Sequence, residues 1–272
     1  WLMTARWDRL GKWLDTVSAY RVPPQNLDEI TDMDDWILHL QKSGHYVSCS
    51  SGTTGKSAML VASKADIDRV KRETISSYTW GSGVPACKDR RIFGVGAAID
   101  VPRNRAGAEA YDEALQDPQF PKFVSPMPQI TVGSLTKMIV LRKKIAEGTA
   151  TPSELAEMER VSAERQKAVD SSVELSAKAL VEARGDIIHL AGYWGALYDI
   201  AKAVREMGYS AKDFRAENSI YGGGGLKGAK LPEDYREFVY DTFNIKRHHN
   251  YLMYSMQELG TAMPRCQKGG RY

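Results

Sequence analysis

Apolar and polar positions change their period along the chain. In the first forty residues Trp1, Leu2, Leu10, Trp13, Leu14 and Val17 recur near 3.6, and residues 34–40 carry a second short apolar face. Pro23 and Pro24 separate the two. Residues 1–43 are therefore expected to form a helical N-terminal segment, with Trp7, Trp13 and Trp36 as packing residues. Residues 46–50 and 58–62 read as short strands flanking SSGTTGKS at 50–57. Ser63 is an N-cap candidate with Asp66 in the first turn, so a helix is expected from Lys64 to about Ser77.

Residues 89–101 contain RRIFGVGAAIDV and read as a glycine-bearing buried strand. Residues 103–129, rich in Pro and polar residues, read as an irregular excursion. Thr151, Pro152, Ser153 and Glu154 make a helix start: N-cap, proline at the first position and a Glu closing a capping box. Leu155, Met158, Val161, Val169, Val173, Leu180 and Val181 continue that stripe as one long helix or two, so residues 103–184 as a whole form a helical excursion.

Beyond it the pattern alternates: a strand at 187–191, then a helix marked by Ala196, Leu197, Ile200, Ala201, Val204 and Met207 and stopped by Gly208. A strand follows at 218–221, ending in Gly222 to Gly225. A helix at 232–243 comes next, with Tyr235, Phe238 and Val239 inward and Asn244 closing it. A last strand is expected at 248–254. Strand, helix, strand, helix, strand predicts an α/β fold with parallel neighbours and ligands beyond the carboxyl ends of the strands.

Composition narrows the classes. The chain has 272 residues, 43% hydrophobic and 26% charged, which suits a globular core. Lys plus Arg number 37 against 34 Asp plus Glu, a balance without a nucleic-acid footprint. No apolar run approaches the roughly 18 residues of a membrane span. Cys49, Cys87 and Cys266 are odd in number and widely spaced, which favours a reduced, cytoplasmic setting. The opening WLMTARW lacks an initiator Met and a leader pattern, and the terminal KGGRY is a turn that introduces nothing. The chain is expected to be a piece of a longer protein.

SSGTTGKS carries the clearest chemistry. Glycines let several N–H groups converge, hydroxyls add donors, and Lys56 adds a mobile cation, together forming a nest for a polyphosphate. A Walker loop would need glycine where Ser50 stands and a helix opening at Gly55 to Lys56. The flanking apolar runs instead suggest a hairpin tip.

That octapeptide resembles the signature loop of the adenylate-forming superfamily, which includes acyl-CoA synthetases, luciferases and peptide-synthetase adenylation domains. NSIYGGGGL at 218–226 resembles the family's adenine-site strand and glycine segment. YSMQE at 254–258 resembles its aromatic-Gly-x-Thr-Glu element, with Ser255 in place of Gly and Gln257 in place of Thr. The block 186–258 looks most like the phenylacetate-CoA-ligase-like and acyl-protein-synthetase branch.

The resemblance implies that residues 44–272 are an AMP-binding large subdomain, truncated before the C-terminal lid. Ser51, Gly52, Thr53, Thr54, Gly55 and Lys56 would hold the β- and γ-phosphates of ATP. Gly223, Gly224 and Tyr254 would enclose adenine, Gln257 would touch the α-phosphate, and Glu258 would ligate Mg²⁺, a hard cation that prefers oxygen. Lys56 and Glu258 would be the catalytic pair. The implied activity is formation of an acyl-adenylate from a carboxylic acid, then transfer to CoA or another thiol. The alternatives are a P-loop-type NTPase or kinase and a non-catalytic remnant of the fold.

The remaining candidates read as structural. His39, His45 and His189 are isolated. His248 and His249 would point to opposite faces of a strand. Lys246 and Arg247 extend them into a short basic turn. Cys49 reads as a small buried residue, and Met253 and Met256 as core, with the lining of an acyl pocket as the alternative.

Overall fold

The computed structural model describes residues 6–24, 26–49, 59–96, 99–127, 129–223, 226, 230–256, 259 and 261–268. Ser51, Gly52, Thr53, Thr54, Gly55 and Lys56, expected to form a phosphate loop, lie outside the described residues, as do Gly224, Gln257 and Glu258.

Two helices open the chain, α1 (Trp7–Val17) and α2 (Met33–Lys42). Asp32 caps α2 by accepting from the backbone N–H of Asp34 and Asp35. Strands β1 (Tyr46–Cys49) and β2 (Met59–Ala62) pair antiparallel, with Cys49 opposite Met59. Leu10, Leu14, Trp36 and Leu40 bury with Val47 and Cys49 in one cluster, so the packing role of Trp36 holds. Burial pushes the Cys49 thiol up, with Asp34 adding to the effect, so it stays protonated near neutrality.

Helix α3 (Lys64–Ser82) starts on a Ser63–Asp66 capping box. It runs five residues beyond the expected stop at Ser77, because Tyr78 packs inward and the chain turns only at Gly83, where φ is +67°. Strand β3 (Arg91–Val95) is shorter than the expected 89–101, since Gly96 adopts φ +86° and breaks the extended run.

Residues 103–129 hold the largest departure. Instead of an irregular excursion they open on helix α4 (Pro102–Leu115). Pro102 sits at N1, where its missing N–H costs nothing, and Ala106, Ala110, Tyr111 and Leu115 form its buried face. Helix α5 (Val132–Ala146), capped by Thr131, falls within the helical excursion expected over 103–184, which gave it no bounds. Helix α6 (Pro152–Glu182) is one helix on the expected Thr151–Glu154 capping box. Its stripe is buried only in the C-terminal half: Leu180 is fully buried, whereas Leu155 and Val161 are each 41% exposed.

Strands β4 (Ile188–Tyr193), β5 (Ser219–Gly223) and β6 (Asn250–Tyr251) alternate with α7 (Trp194–Glu206) and α8 (Tyr235–Phe243). Met207, expected on the inner stripe of α7, lies just past its end and is 38% exposed. Asn244 ends α8 in the left-handed region at φ +54°. The final strand expected at 248–254 is broken. His248 and His249 lie in a 3-10 turn with rings 4.5 Å apart, so the opposite-face expectation fails. After β6, strand β7 (Met253–Ser255) turns away to pair antiparallel with β8 (Ala262–Pro264).

The main sheet has the order β3-β4-β5-β6 with all neighbours parallel. Its two faces bury different helices, as parallel sheets require. Phe93, Val95, Leu190 and Ile220 face α6, α7 and α8. Ile92 and Tyr251 face α3 and α4 through Tyr78, Tyr111 and Leu115. The fold is thus α/β, with helices on both sides of a parallel sheet. Among the described residues, no helix is long and apolar enough to cross a membrane.

Candidate functional site

A cavity of about 560 Å³ opens where β3, β4 and β5 end, under α3 and α4. This is the position at which open parallel sheets bind ligands, and the volume lies within the roughly 300–1,000 Å³ of small-molecule sites. Strand register lays out its floor in rows. Gly94, Ala191, Tyr221 and Tyr251 stand side by side across the four strands. One row deeper lie Ile92, His189 and Ser219, and at the mouth lie Tyr193 and Gly223. Side chains therefore grow from nothing at β3, through a methyl at β4, to phenol rings at β5 and β6.

The roof comes from Val70, Glu73 and Thr74 of α3, and from Arg103, Gly107 and Tyr111 of α4. Phe123 and Met127 close one side, and Ser255 and Thr261 line the far end. Tyr111 stacks on Tyr221 at 6.2 Å with 22° between planes. Burial pushes the hydroxyls of Tyr111 and Tyr221 well above the usual phenol range, and Tyr251 to about 12, so none ionises near neutrality.

Beneath the floor is a buried polar cluster. Ser219 Oγ accepts from Tyr78 Oη at 2.9 Å and from Arg90 at 3.0 Å, which leaves its proton for His189 Nδ1 at 3.0 Å. Among the described residues His189 Nε2 has no hydrogen-bond partner, and Tyr111 stacks on the ring at 5.3 Å. Burial, with Arg90 adding repulsion, lowers His189 to about 3. A neutral, enclosed imidazole supports the floor and is not a proton carrier at neutral pH.

The cavity lining carries charges of both signs, Arg103 and Lys122 with Glu73 and Asp112. Arg103 sits in the first turn of α4, where the helix dipole favours anions. It donates to the backbone carbonyls of Met256 at 2.9 Å and Thr261 at 3.2 Å. Those two residues flank Gln257 and Glu258. Val101, the N-cap of α4, is buried in the cluster that holds Cys49, and β1 packs on α4. Cys49 and Met59 in turn bracket residues 50–58, which carry SSGTTGKS. One helix N-terminus thus gathers the flanks of both segments.

Of the expected site residues, Gly223 ends β5 at the mouth, and Tyr254 lies 47% exposed in β7 between cavity-lining Met253 and Ser255. The segment after residue 58 continues as β2, and α3 begins only at Lys64; this is the hairpin arrangement and not the strand-to-helix path of a Walker loop. Met256, expected in the core, is 38% exposed. His39 ion-pairs with Glu29 at 3.0 Å on the surface, while His45 is buried beside β1.

The sequence reading missed Gly94, Arg103, Gly107, Tyr111 and Phe123. The signal for those on α4 was Pro102 followed by small residues at helical spacing, which the proline count of 103–129 obscured. No protein-family model matches the chain, and no curated protein matches it in sequence.

Proposed function

We propose that this chain is the ATP- and acid-binding part of an adenylate-forming enzyme that activates a carboxylic acid for transfer to CoA or another thiol. The observation that carries the reading is the convergence on the α4 N-terminus. The hairpin that brackets SSGTTGKS and the segment that brackets Glu258 are both tied to it, beside a cavity at the strand ends.

The chemistry explains why these parts belong together. A carboxylate oxygen attacks the α-phosphorus of ATP, and the bond to the pyrophosphate oxygen breaks. Two anions about 4 Å apart in a partly buried site repel by roughly 4 kcal/mol, so the site must supply compensating charge and hold the partners in line. Lys56 and the hydroxyls and N–H groups of Ser51, Gly52, Thr53, Thr54 and Gly55 suit the β- and γ-phosphates. Glu258 supplies the hard oxygen that Mg²⁺ requires, and the metal, when bound, neutralises phosphate charge. Gln257 donates to the α-phosphate. Tyr254 offers its ring, and Gly223 and Gly224 a flat backbone, to adenine. Arg103 adds a cation where the acid's carboxylate enters. The apolar rows behind it accommodate the tail.

ATP–pyrophosphate exchange by the full-length parent, run with a panel of carboxylic acids, tests this. Acid-dependent exchange that falls at least a hundredfold in Lys56→Ala and Glu258→Ala is expected. Tight ATP·Mg binding unchanged by both substitutions contradicts the assignment. Absence of any nucleotide binding favours a non-catalytic remnant.

A further inference from the structure

We propose that Gly94 and Gly107 determine substrate size, by keeping the cavity wide enough for a carboxylic acid with a ring-sized tail. The inference rests on the reading that this cavity receives the acid. Both glycines line it, Gly94 on the floor and Gly107 in the roof.

A glycine inside a strand or helix weakens it and calls for a reason. Two structural reasons operate elsewhere around the site. Gly96 needs its positive φ of +86°. Gly192 and Gly222 are forced by packing: a Cβ on Gly192 would lie 2.6 Å from the Val95 carbonyl oxygen, and one on Gly222 would lie 2.3 Å from the Trp194 ring. Neither reason applies to Gly94 or Gly107. Their φ angles lie outside the left-handed region, and among the described residues a Cβ at either position would meet nothing within 4 Å.

Gly94 is moreover exposed in the middle of β3, between buried Phe93 and Val95, because the cavity bares its backbone. A Cβ at these two cavity-lining positions would therefore project into open space. Beside Gly94 on the floor stand Tyr221 and Tyr251, and one turn along α4 from Gly107 stands Tyr111; their buried hydroxyls stay neutral and their rings offer flat apolar faces. A lining bare at Gly94 and Gly107 and bordered by rings fits a bulky tail better than a thin one.

The test uses the 272-residue chain and ligand-observed NMR with acetate, propionate, phenylacetate and 1-naphthylacetate. ATP·Mg binding is measured on the same samples by calorimetry. Gly94→Val and Gly107→Leu are expected to weaken 1-naphthylacetate and phenylacetate at least tenfold while leaving acetate and propionate within twofold. Gly11→Ala, an open position on α1 far from the cavity lining, is expected to change none of them. Ring-acid binding within twofold of the parent in the folded variants overturns the proposal. So does an equal loss across the series, or failure of the parent to bind ring acids.

If circular dichroism shows that the larger substitutions do not fold, Gly94→Ala and Gly107→Ala decide. A threefold loss for 1-naphthylacetate supports the proposal, and no loss overturns it. Loss of size selection with ATP·Mg binding intact refutes this inference alone. Size selection without ATP·Mg binding refutes the adenylation reading alone.

Discussion

Arg103 donates a hydrogen bond to the Met256 carbonyl at 2.9 Å, joining the start of α4 to the segment that leads into Gln257 and Glu258. A second donation, to Thr261 at 3.2 Å, fixes the far side of that segment. Hydrogen bonds from a charged donor stabilise by about 1.5–3 kcal/mol when buried and less in water, and this pair lies at a solvent-facing mouth. Arg103→Ala is therefore expected to weaken ATP·Mg binding about tenfold while shifting the thermal midpoint little. Arg103→Lys should recover only part of the loss, because one ammonium cannot span both carbonyls as a fork does. Titration calorimetry beside a melting curve checks both. A large fall in melting temperature with unchanged nucleotide affinity would show that the contact only supports the fold.

Acid should destabilise the protein through His189. Its folded-state value of about 3 lies below the usual histidine value of about 6.5, so the unfolded chain takes up the proton first. The stabilising contribution is complete above about pH 6.5 and is lost as pH falls toward 3, at up to about 1.4 kcal/mol per pH unit. His189→Gln, which keeps an acceptor for the Ser219 hydroxyl, is expected to flatten that part of the profile. Urea midpoints measured from pH 7 to pH 4 give the slope. Equal slopes in both proteins would reject the assignment.

The two halves of α6 should respond differently to the same substitution. Leu180 is fully buried against the sheet, so Leu180→Ala is expected to cost about 2–5 kcal/mol. Leu155 is 41% exposed near the other end, so Leu155→Ala should stay within about 0.5 kcal/mol. Denaturant titrations of the pair provide the measurement. Comparable losses would mean that the outer half packs on something.

Gly222 and Gly94 make the matching contrast within the sheet. Gly222→Ala drives a methyl into the Trp194 ring, a rigid neighbour that is itself buried, and is expected to destabilise by about 1–3 kcal/mol or more. Gly94→Ala meets open space and should leave stability unchanged or slightly raised. Equilibrium unfolding by urea separates the two outcomes.

Local signals were legible where each residue's neighbours in sequence are also its neighbours in space. The capping boxes at Ser63 and Thr151, the stop at Asn244 and the strand–helix alternation after residue 186 depend on contacts within a turn or two, and they appear where the pattern placed them. The antiparallel pairing of the strands that flank SSGTTGKS was legible for the same reason. Helix α4 was misread because prolines were counted over a window, whereas what matters is that Pro102 falls at N1. The apolar stripe of α6 was visible along its whole length, yet burial ends partway, since nothing in a period says how far the neighbouring layer extends.

The alternation of strand and helix, the caps and the glycine-rich loop follow from short-range chemistry that the chain carries wherever it folds. Which glycines leave space and which merely avoid a clash is another matter. Gly94 and Gly222 are the same residue in the same kind of strand, and only the arrival of Trp194 at one and of a cavity at the other distinguishes them. The seat of His189 beneath Tyr111, and the grip of Arg103 on a segment more than a hundred and fifty residues away, likewise arise when parallel strands set distant side chains in register. Those relationships depend on packing across the sheet, and a one-dimensional pattern holds no coordinate for it.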